Sequence, residues 1–234
     1  MRVTVIIIMR TVIIDMTKIV CISDTHTRHY ELKIPPCDIL IHAGDMTGRG
    51  SLFEFKEIGD WFKSLLAANV CQDIIFIAGN HDFGLQRNPT TMLNYSFDHS
   101  RIHYLQDSSI ILKGIKFYGS PWTPEFHNWA FMKSDDDLIP IWNQIDINTN
   151  ILITHGPAYE ILDKNINGTN CGSRSLLSKI EDLSLTDHLK YHIFGHIHEQ
   201  GGKRHKAKII SYNVSNLDER YKVIHKPMII KYKD

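Results

Sequence analysis

Five short apolar runs in this chain each end in a polar cluster, and that recurrence limits the fold more than any other feature. The run Asp73-Ile74-Ile75-Phe76-Ile77-Ala78 is the clearest. Its β-branched and aromatic residues read as a buried strand, and Gly79-Asn80-His81-Asp82 follows directly. A plain loop needs a glycine or an asparagine there; an imidazole and a carboxylate after them present chemistry. A turn whose asparagine caps a helix is the bland alternative.

The same pattern returns along the chain. Lys18–Ser23 is an apolar strand followed by Asp24-Thr25-His26, and Cys37–Ala43 is closed by Gly44-Asp45. Asn150–Thr154 runs into His155-Gly156-Pro157, and Tyr191–Phe194 into Gly195-His196-Ile197-His198. Between the second and third strands, Leu52, Phe55, Ile58, Phe62, Leu65 and Leu66 repeat at helical spacing, with Ser51 as N-cap. Strands alternating with helices predict a largely parallel sheet with helices outside. Ligands bind beyond the carboxyl ends of such strands, where all these clusters fall.

The middle of the chain changes character. Ser109–Gly119 reads as a hairpin turning near Lys113-Gly114, and Ser120-Pro121-Trp122-Thr123-Pro124 as a rigid loop. Asp135–Ile147 predicts a helix with acidic residues in its first turn, which Pro140 kinks or shortens. A short helix is expected over 173–183. Lys208–Val214 and Met228–Tyr232 are expected to close the second sheet, with a turn around Asn216–Arg220.

Composition bounds the function. Lys plus Arg equals Asp plus Glu at 26 each, so no net field steers the chain to nucleic acid or an anionic membrane. The four cysteines form no Cys-x-x-Cys pair, which fits reduced thiols in a cytoplasmic protein and excludes a zinc ribbon. Residues 1–16 read as an N-terminal extension, either an edge strand or an over-extended start. Arg10 interrupts its apolar run, and no small-x-small cleavage site follows. The run is too short to span a bilayer. With no linker or repeat, residues 17–234 read as one domain.

The polar groups at the strand ends are Asp24, His26, Asp45, Asn80, His81, His155, His196 and His198. Oxygen and imidazole donors without thiolate suit Mn, Fe, Zn, Ni, Co or Mg. Two ions about 3.5–4 Å apart need one shared ligand, and a carboxylate is the natural bridge.

The series Asp-x-His, Gly-Asp, Gly-Asn-His, His-Gly and Gly-His-x-His resembles the calcineurin-like metallophosphoesterases, in that order and from about Thr17 onward. The resemblance is closest to the metallophosphoesterase-domain-containing subfamily known from adult and fetal brain. Tyr104–Ser108, Gly114–Trp122, Ile161-Leu162-Asp163 and Gly195–Glu199 carry it. It implies a four-layer α/β sandwich, with two mixed sheets packed face to face and helices outside. It also implies two divalent ions, manganese favoured, with Asp24, His26 and His198 holding one, Asn80, His155 and His196 the other, and Asp45 bridging. A metal-bridging hydroxide would attack phosphorus in line, with His81 contacting phosphate and protonating the leaving oxygen. Asp82 is expected to orient His81. The implied substrates are small phosphodiesters, including cyclic nucleotides. A scaffold with a degraded site, or a phosphomonoesterase or protein phosphatase, are the alternatives on this fold. No dedicated nucleic-acid or membrane partner is expected.

Other residues carry weaker expectations. Trp122 is a candidate substrate contact, against a role as loop anchor. His42 is either a support behind a metal ligand or a satisfied core histidine. Arg28 and His29 are expected at the surface, and Lys203-Arg204-His205-Lys206 as a solvated turn.

Overall fold

The computed structural model describes residues 16–206 and 208–233. The segment 1–15, and with it the expected edge strand or surplus start, lies outside them. The chain opens with strands β1 (Thr17–Ile22) and β2 (Ile39–His42), helix α1 (Leu52–Ala67) and strand β3 (Asp73–Phe76). Two short helices, α2 (Phe83–Arg87) and α3 (Pro89–Ser96), lead into β4 (Ile102–Tyr104). Then come the hairpin β5 (Ser108–Leu112) and β6 (Ile115–Ser120), the short strands β7 (Thr123–Pro124) and β8 (Met132–Lys133), and α4 (Asp135–Trp142). The last part holds β9 (Ile151–Thr154), α5 (Arg174–Ser184), β10 (Tyr191–Phe194), β11 (Gly202–Lys206), β12 (Ile209–Asn213) and β13 (Met228–Tyr232).

Two mixed sheets result, ordered β13-β1-β2-β3-β4 and β11-β12-β10-β9-β6-β5. Side-chain alternation explains how they stack. In β1, Ile19 and Cys21 enter a core shared with Ile151 and Ile153 of β9, Ile193 of β10 and Phe117 of β6, so the two sheets face each other there. Val20 and Ile22 point the other way, with Leu40, Ile74 and Phe76, onto Phe55, Ile58, Phe62 and Leu66 of α1. On the far side, Leu152 and Phe194 pack on Leu138 and Trp142 of α4 and Leu176 and Ile180 of α5. Three cores separate four layers, which is the expected αββα sandwich.

Local chemistry sets the element ends. Ser51 and Glu54 form a full capping box at the start of α1, an arrangement that contributes about 1 kcal/mol. Lys113 (φ 51°) and Gly114 (φ 77°) make the left-handed pair that a tight hairpin requires, between antiparallel β5 and β6. Pro140 shortens α4, which ends at Trp142 and not at Ile147.

Two further expectations need correction. Met228–Tyr232 joins the first sheet, antiparallel to β1, and not the second. Lys203–Lys206 lies within a strand, β11, pairing antiparallel with β12 at the sheet edge. Its mostly exposed charged side chains suit an edge, where they discourage pairing with other chains. Helix α3 opens on Pro89 in its first turn, where a missing N–H does no harm.

Candidate metal centre

The loops after β1, β2, β3, β9 and β10 meet at one end of the sandwich. Asp24, Asp45, Asn80 and His155 are buried there, and His26 is only 7% exposed. Asp24 (φ 54°), His26 (φ 39°), Asp45 (φ 53°) and His196 (φ 69°) all adopt left-handed backbone, which non-glycine residues hold only when surrounding contacts enforce it. Those contacts are visible. Asp24 N–H donates to Gly44 O (3.0 Å), His26 N–H to Asp45 O (3.1 Å) and Thr27 N–H to Met46 O (2.9 Å), lacing the first two loops together.

Close approach is enforced at two glycines. A Cβ on Gly195 would lie 2.0 Å from Asp24 Oδ2, and one on Gly79 would lie 2.3 Å from Asp45 Oδ1. No side chain fits at either position, so the backbone there forms part of the cradle.

The imidazoles share one orientation. Nδ1 of His26 faces Thr47 O (3.1 Å), that of His81 Gly48 O (2.9 Å), that of His155 Ala43 O (3.0 Å) and that of His198 Asp218 O (3.1 Å). A carbonyl only accepts, so each Nδ1 carries the proton and each Nε2 turns inward. His155 Nε2 lies 3.4 Å from Asp45 Oδ2, His26 Nε2 3.8 Å and His81 Nε2 4.0 Å. His198 Nε2 lies 3.5 Å from Asp24 Oδ1. A loop after β10 and a 3₁₀ turn from His198 to Gln200 send His196 and His198 to different groups. His198 thereby groups with Asp24 and His26, and His196 with Asp45 and His155.

These residues fit divalent cations. His26 Nε2 is buried and has no hydrogen-bond partner, a lone pair aimed into the cluster. Asp24 and Asp45 are buried carboxylates whose only ion-pair neighbours among the described residues are histidines. Burial would raise both carboxyls, but His198 holds Asp24, and His155 holds Asp45, well below the ordinary range. Burial likewise opposes charge on His155 and His198, yet Asp45 and Asp24 push each up to about 9. His26 and His196 go the other way, lowered by burial to about 4, the neutral state a metal ligand needs. The site thus demands positive charge at two places, beside Asp45 and beside Asp24. Asn80 Oδ1 faces His155 Nε2 at 2.9 Å and completes the Asp45 side.

One expected role changes, and one open choice is decided. Asp82 does not orient His81, which is held by Gly48. Its carboxylate accepts from Gly79 N (2.8 Å), Thr47 N (3.1 Å) and Thr47 Oγ1 (2.7 Å), tying the β2 and β3 loops together. Burial, and then the Asp45 charge, raise Asp82 to about 6. Trp122 does not line the cavity over the centre. Its indole N–H donates to Asp107 Oδ2 (2.9 Å), its ring packs edge-on to Phe131, and Lys133 sits over it, so it anchors a loop.

Trp129, and not Trp122, is the tryptophan at the cavity. It stacks on His81 with centroids 4.4 Å apart, and Arg49 lies over its ring. Tyr221 sets its ring edge against His26 (4.8 Å) and His198 (5.8 Å). Both line a cavity of about 260 Å³ with Asn80, His81, His196 and His198. Neither stands in a motif; spacing along the chain carries no signal for them. His42 bonds the residue between two of the expected ligands: its Nε2 meets Thr25 Oγ1 (2.9 Å), between Asp24 and His26, while its Nδ1 is buried without a partner. His29 is buried against Trp61, whereas Arg28 pairs with Glu31 at the surface.

A family model described as calcineurin-like phosphoesterase matches residues 17–200. The chain belongs to that family. The human and mouse proteins called metallophosphoesterase domain-containing protein 1 are each 31% identical to it, over 92% of this chain and 70% of theirs. A crystal structure with 15% identity superimposes with a TM-score of 0.64, covering 94% of this chain and all of the other. The GAP50 anchor of the Plasmodium inner membrane complex superimposes at 0.54, with 11% identity over 86% of this chain and 72% of that one. At such identities these structures speak for the fold alone. Family membership and the His/Asp cluster together support a metal-dependent phosphoesterase. Among the described residues no helix is long and apolar enough to cross a membrane.

Proposed function

We propose that this calcineurin-like phosphoesterase is a binuclear phosphodiesterase acting on small, including cyclic, nucleotides in the cytoplasm. One observation carries the reading. The Asp45 carboxylate lies within 4.8 Å of the donor atom of His26, which also groups with Asp24 and His198, and within 4.8 Å of those of His155 and His196, so it stands between two candidate clusters as a bridging ligand must. In this reading Asp24, His26 and His198 hold one ion, Asn80, His155 and His196 hold the other, and Asp45 holds both. Manganese is the favoured metal of the several that this donor set accepts. Bound there, divalent ions would make water acidic enough to be a nucleophile near neutral pH and would neutralise charge on the phosphoryl oxygens.

The remaining work falls to the chain. His81, its Nδ1 donating to Gly48 O, presents Nε2 to the cavity and delivers a proton from that atom to the departing oxygen. Trp129 keeps the imidazole from rotating away, because leaving its stacked position exposes both rings. Trp129 and Tyr221 wall the cavity with aromatic surface, which favours ring-bearing substrates over a phosphorylated protein loop.

The test is a panel of cyclic nucleotides, an aryl phosphodiester, aryl phosphomonoesters and single-stranded DNA, offered to manganese-loaded protein with and without chelator. Chelator-sensitive turnover of the diesters is expected. Turnover of monoesters alone would give the site to a phosphatase, and turnover of nothing with metal bound would give it to a binding protein.

A further inference from the structure

Beside the centre lies a second, larger cavity of about 520 Å³. It shares Phe126, His196 and Glu199 with the cavity over the metal ligands, so the two adjoin along those residues. We propose that this cleft, lined by Tyr159, Arg174 and Phe126, binds the ester substituent that stays on phosphorus after the diester is cut, and that this substituent is a flat, uncharged ring system. The proposal rests on the phosphodiesterase reading above and adds to it a subsite with its own residues.

Sidedness is the first argument. His81 lines the smaller cavity but not the larger, while His196 lines both. The departing oxygen must lie within reach of His81 to take its proton. Whatever extends past His196 into the larger cleft is therefore the group that does not depart. The bond cut is the one between phosphorus and the oxygen at His81; water supplies the new oxygen on phosphorus, and the departing alcohol takes the proton. The retained ester bond is untouched.

The lining supplies the second argument. The Arg174 guanidinium carbon sits 3.5 Å from the Tyr159 ring centroid, in van der Waals contact. Arg174 has no carboxylate partner among the described residues. Two of the three acids along the lining are already engaged: Asp135 accepts from Ser175 N–H (2.9 Å) and Ser173 Oγ (2.6 Å), and Glu199 accepts from Ile166 N–H (2.7 Å). Arg174 is therefore a flat cation laid on an aromatic ring, and it offers a planar surface to a further ring. Phe126, 61% exposed, adds apolar area at the junction of the two cavities. Glu125, Asp135 and Glu199 outnumber that single cation along the lining, so an extra phosphate or carboxylate on the substituent would be repelled. The volume is within the usual range for a small-molecule pocket, about 300–1,000 Å³.

Two diesters with one leaving group separate this subsite from the rest. Methyl 4-nitrophenyl phosphate and phenyl 4-nitrophenyl phosphate both release 4-nitrophenolate and differ only in what remains. Wild-type protein is expected to favour the phenyl compound in kcat/KM. Tyr159→Ala and Arg174→Ala should each lower kcat/KM for the phenyl compound about tenfold and leave the methyl compound unchanged. Arg174→Lys, which keeps the charge but not the plane, and Tyr159→Leu, which keeps bulk, guard against misfolding; both should lose the phenyl preference. Calorimetric binding of the two products to metal-loaded protein gives a readout free of turnover. Phenyl phosphate should bind more tightly than methyl phosphate, and Tyr159→Ala should abolish the difference. Equal losses on both substrates, or an unchanged phenyl preference in the variants, would overturn the subsite. Failure of wild-type protein to cleave either diester would overturn the phosphodiesterase reading, while the product-binding arm would still decide the cleft.

Discussion

The two sheets bring different things to the centre. The first contributes both carboxylates, Asp24 and Asp45, together with His26, Asn80 and His81; the second contributes only imidazoles, His155, His196 and His198. The first sheet's loops are also laced to one another, by backbone bonds between 24–27 and 44–46 and by the Asp82 carboxylate, while Ser215 beyond β12 donates to the Asp24 carboxylate (2.6 Å). The second sheet's ligands lean on the first: His155 donates to Ala43 O, and the His196 backbone N–H donates to the Asp24 carboxylate (3.0 Å). One sheet builds a cradle around two carboxylates and the other closes it with imidazoles. Damage should therefore be graver on the first side.

The largest effect is expected at Asp45. Asp45→Ala removes the shared ligand and should lower kcat/KM on an aryl diester by at least about 10³-fold, since the metals supply most of the charge stabilisation. His196→Ala, on the closing side, should lose less and retain the metal on the Asp24 side. Equal losses would erase the proposed asymmetry.

Gly195→Ala probes the junction of the two sheets. A methyl group 2.0 Å from Asp24 Oδ2 cannot be accommodated without moving a buried carboxylate, so a drop of about 2–4 kcal/mol in unfolding free energy is expected by chemical denaturation. Gly114→Ala, in the open hairpin turn, should be far milder.

His81→Ala should reduce turnover about 10²–10⁴-fold with metal content nearly unchanged, as suits a proton donor. Trp129→Ala should cost about tenfold in kcat, through the position of His81, and Trp129→Phe should recover part of it. Kinetics on the same aryl diester check both.

The structural order of these residues was only partly legible in the chain. All five strand-end clusters, the helix with its Ser51 cap and the hairpin at Lys113-Gly114 announce themselves, because each depends on a local pattern or on one backbone requirement. The partner of Met228–Tyr232 did not, because a short alternating strand fits either sheet and only the assembled core decides. Trp129, Tyr221 and Arg174 were hidden for a similar reason. Trp129 and Tyr221 meet the centre through loops, and Arg174 enters the neighbouring cleft from the start of α5; in each case distant packing sets the position, and nothing in the neighbouring sequence marks it. Asp82 misled because adjacency to His81 suggested a bond that the turn geometry gives to Gly48 instead.

The smallest effect compares two histidines set alike behind the two sheets. His42 bonds Thr25 in the first sheet and His192 bonds Thr154 (2.8 Å) in the second, and each leaves Nδ1 buried without a partner. Burial lowers both to about 3. The folded pKa lies below the unfolded value of about 6.5, so the neutral form stabilises the fold. That stability is full above pH 6.5 and is lost as pH falls toward 3. His192→Gln should therefore flatten the decline in unfolding free energy between pH 6.5 and 4 by on the order of 1–3 kcal/mol, measured with chelator in both samples. An unchanged slope would mean that His192 does not titrate with unfolding.

The bridged pair of ions is the claim on which everything else depends, and elemental analysis of metal-loaded protein tests it most directly. Wild-type protein should hold about two ions per chain, His196→Ala and His198→Ala about one each, and Asp45→Ala fewer than one. A wild-type chain that retains a single ion, or an Asp45→Ala chain that still retains two, would contradict it.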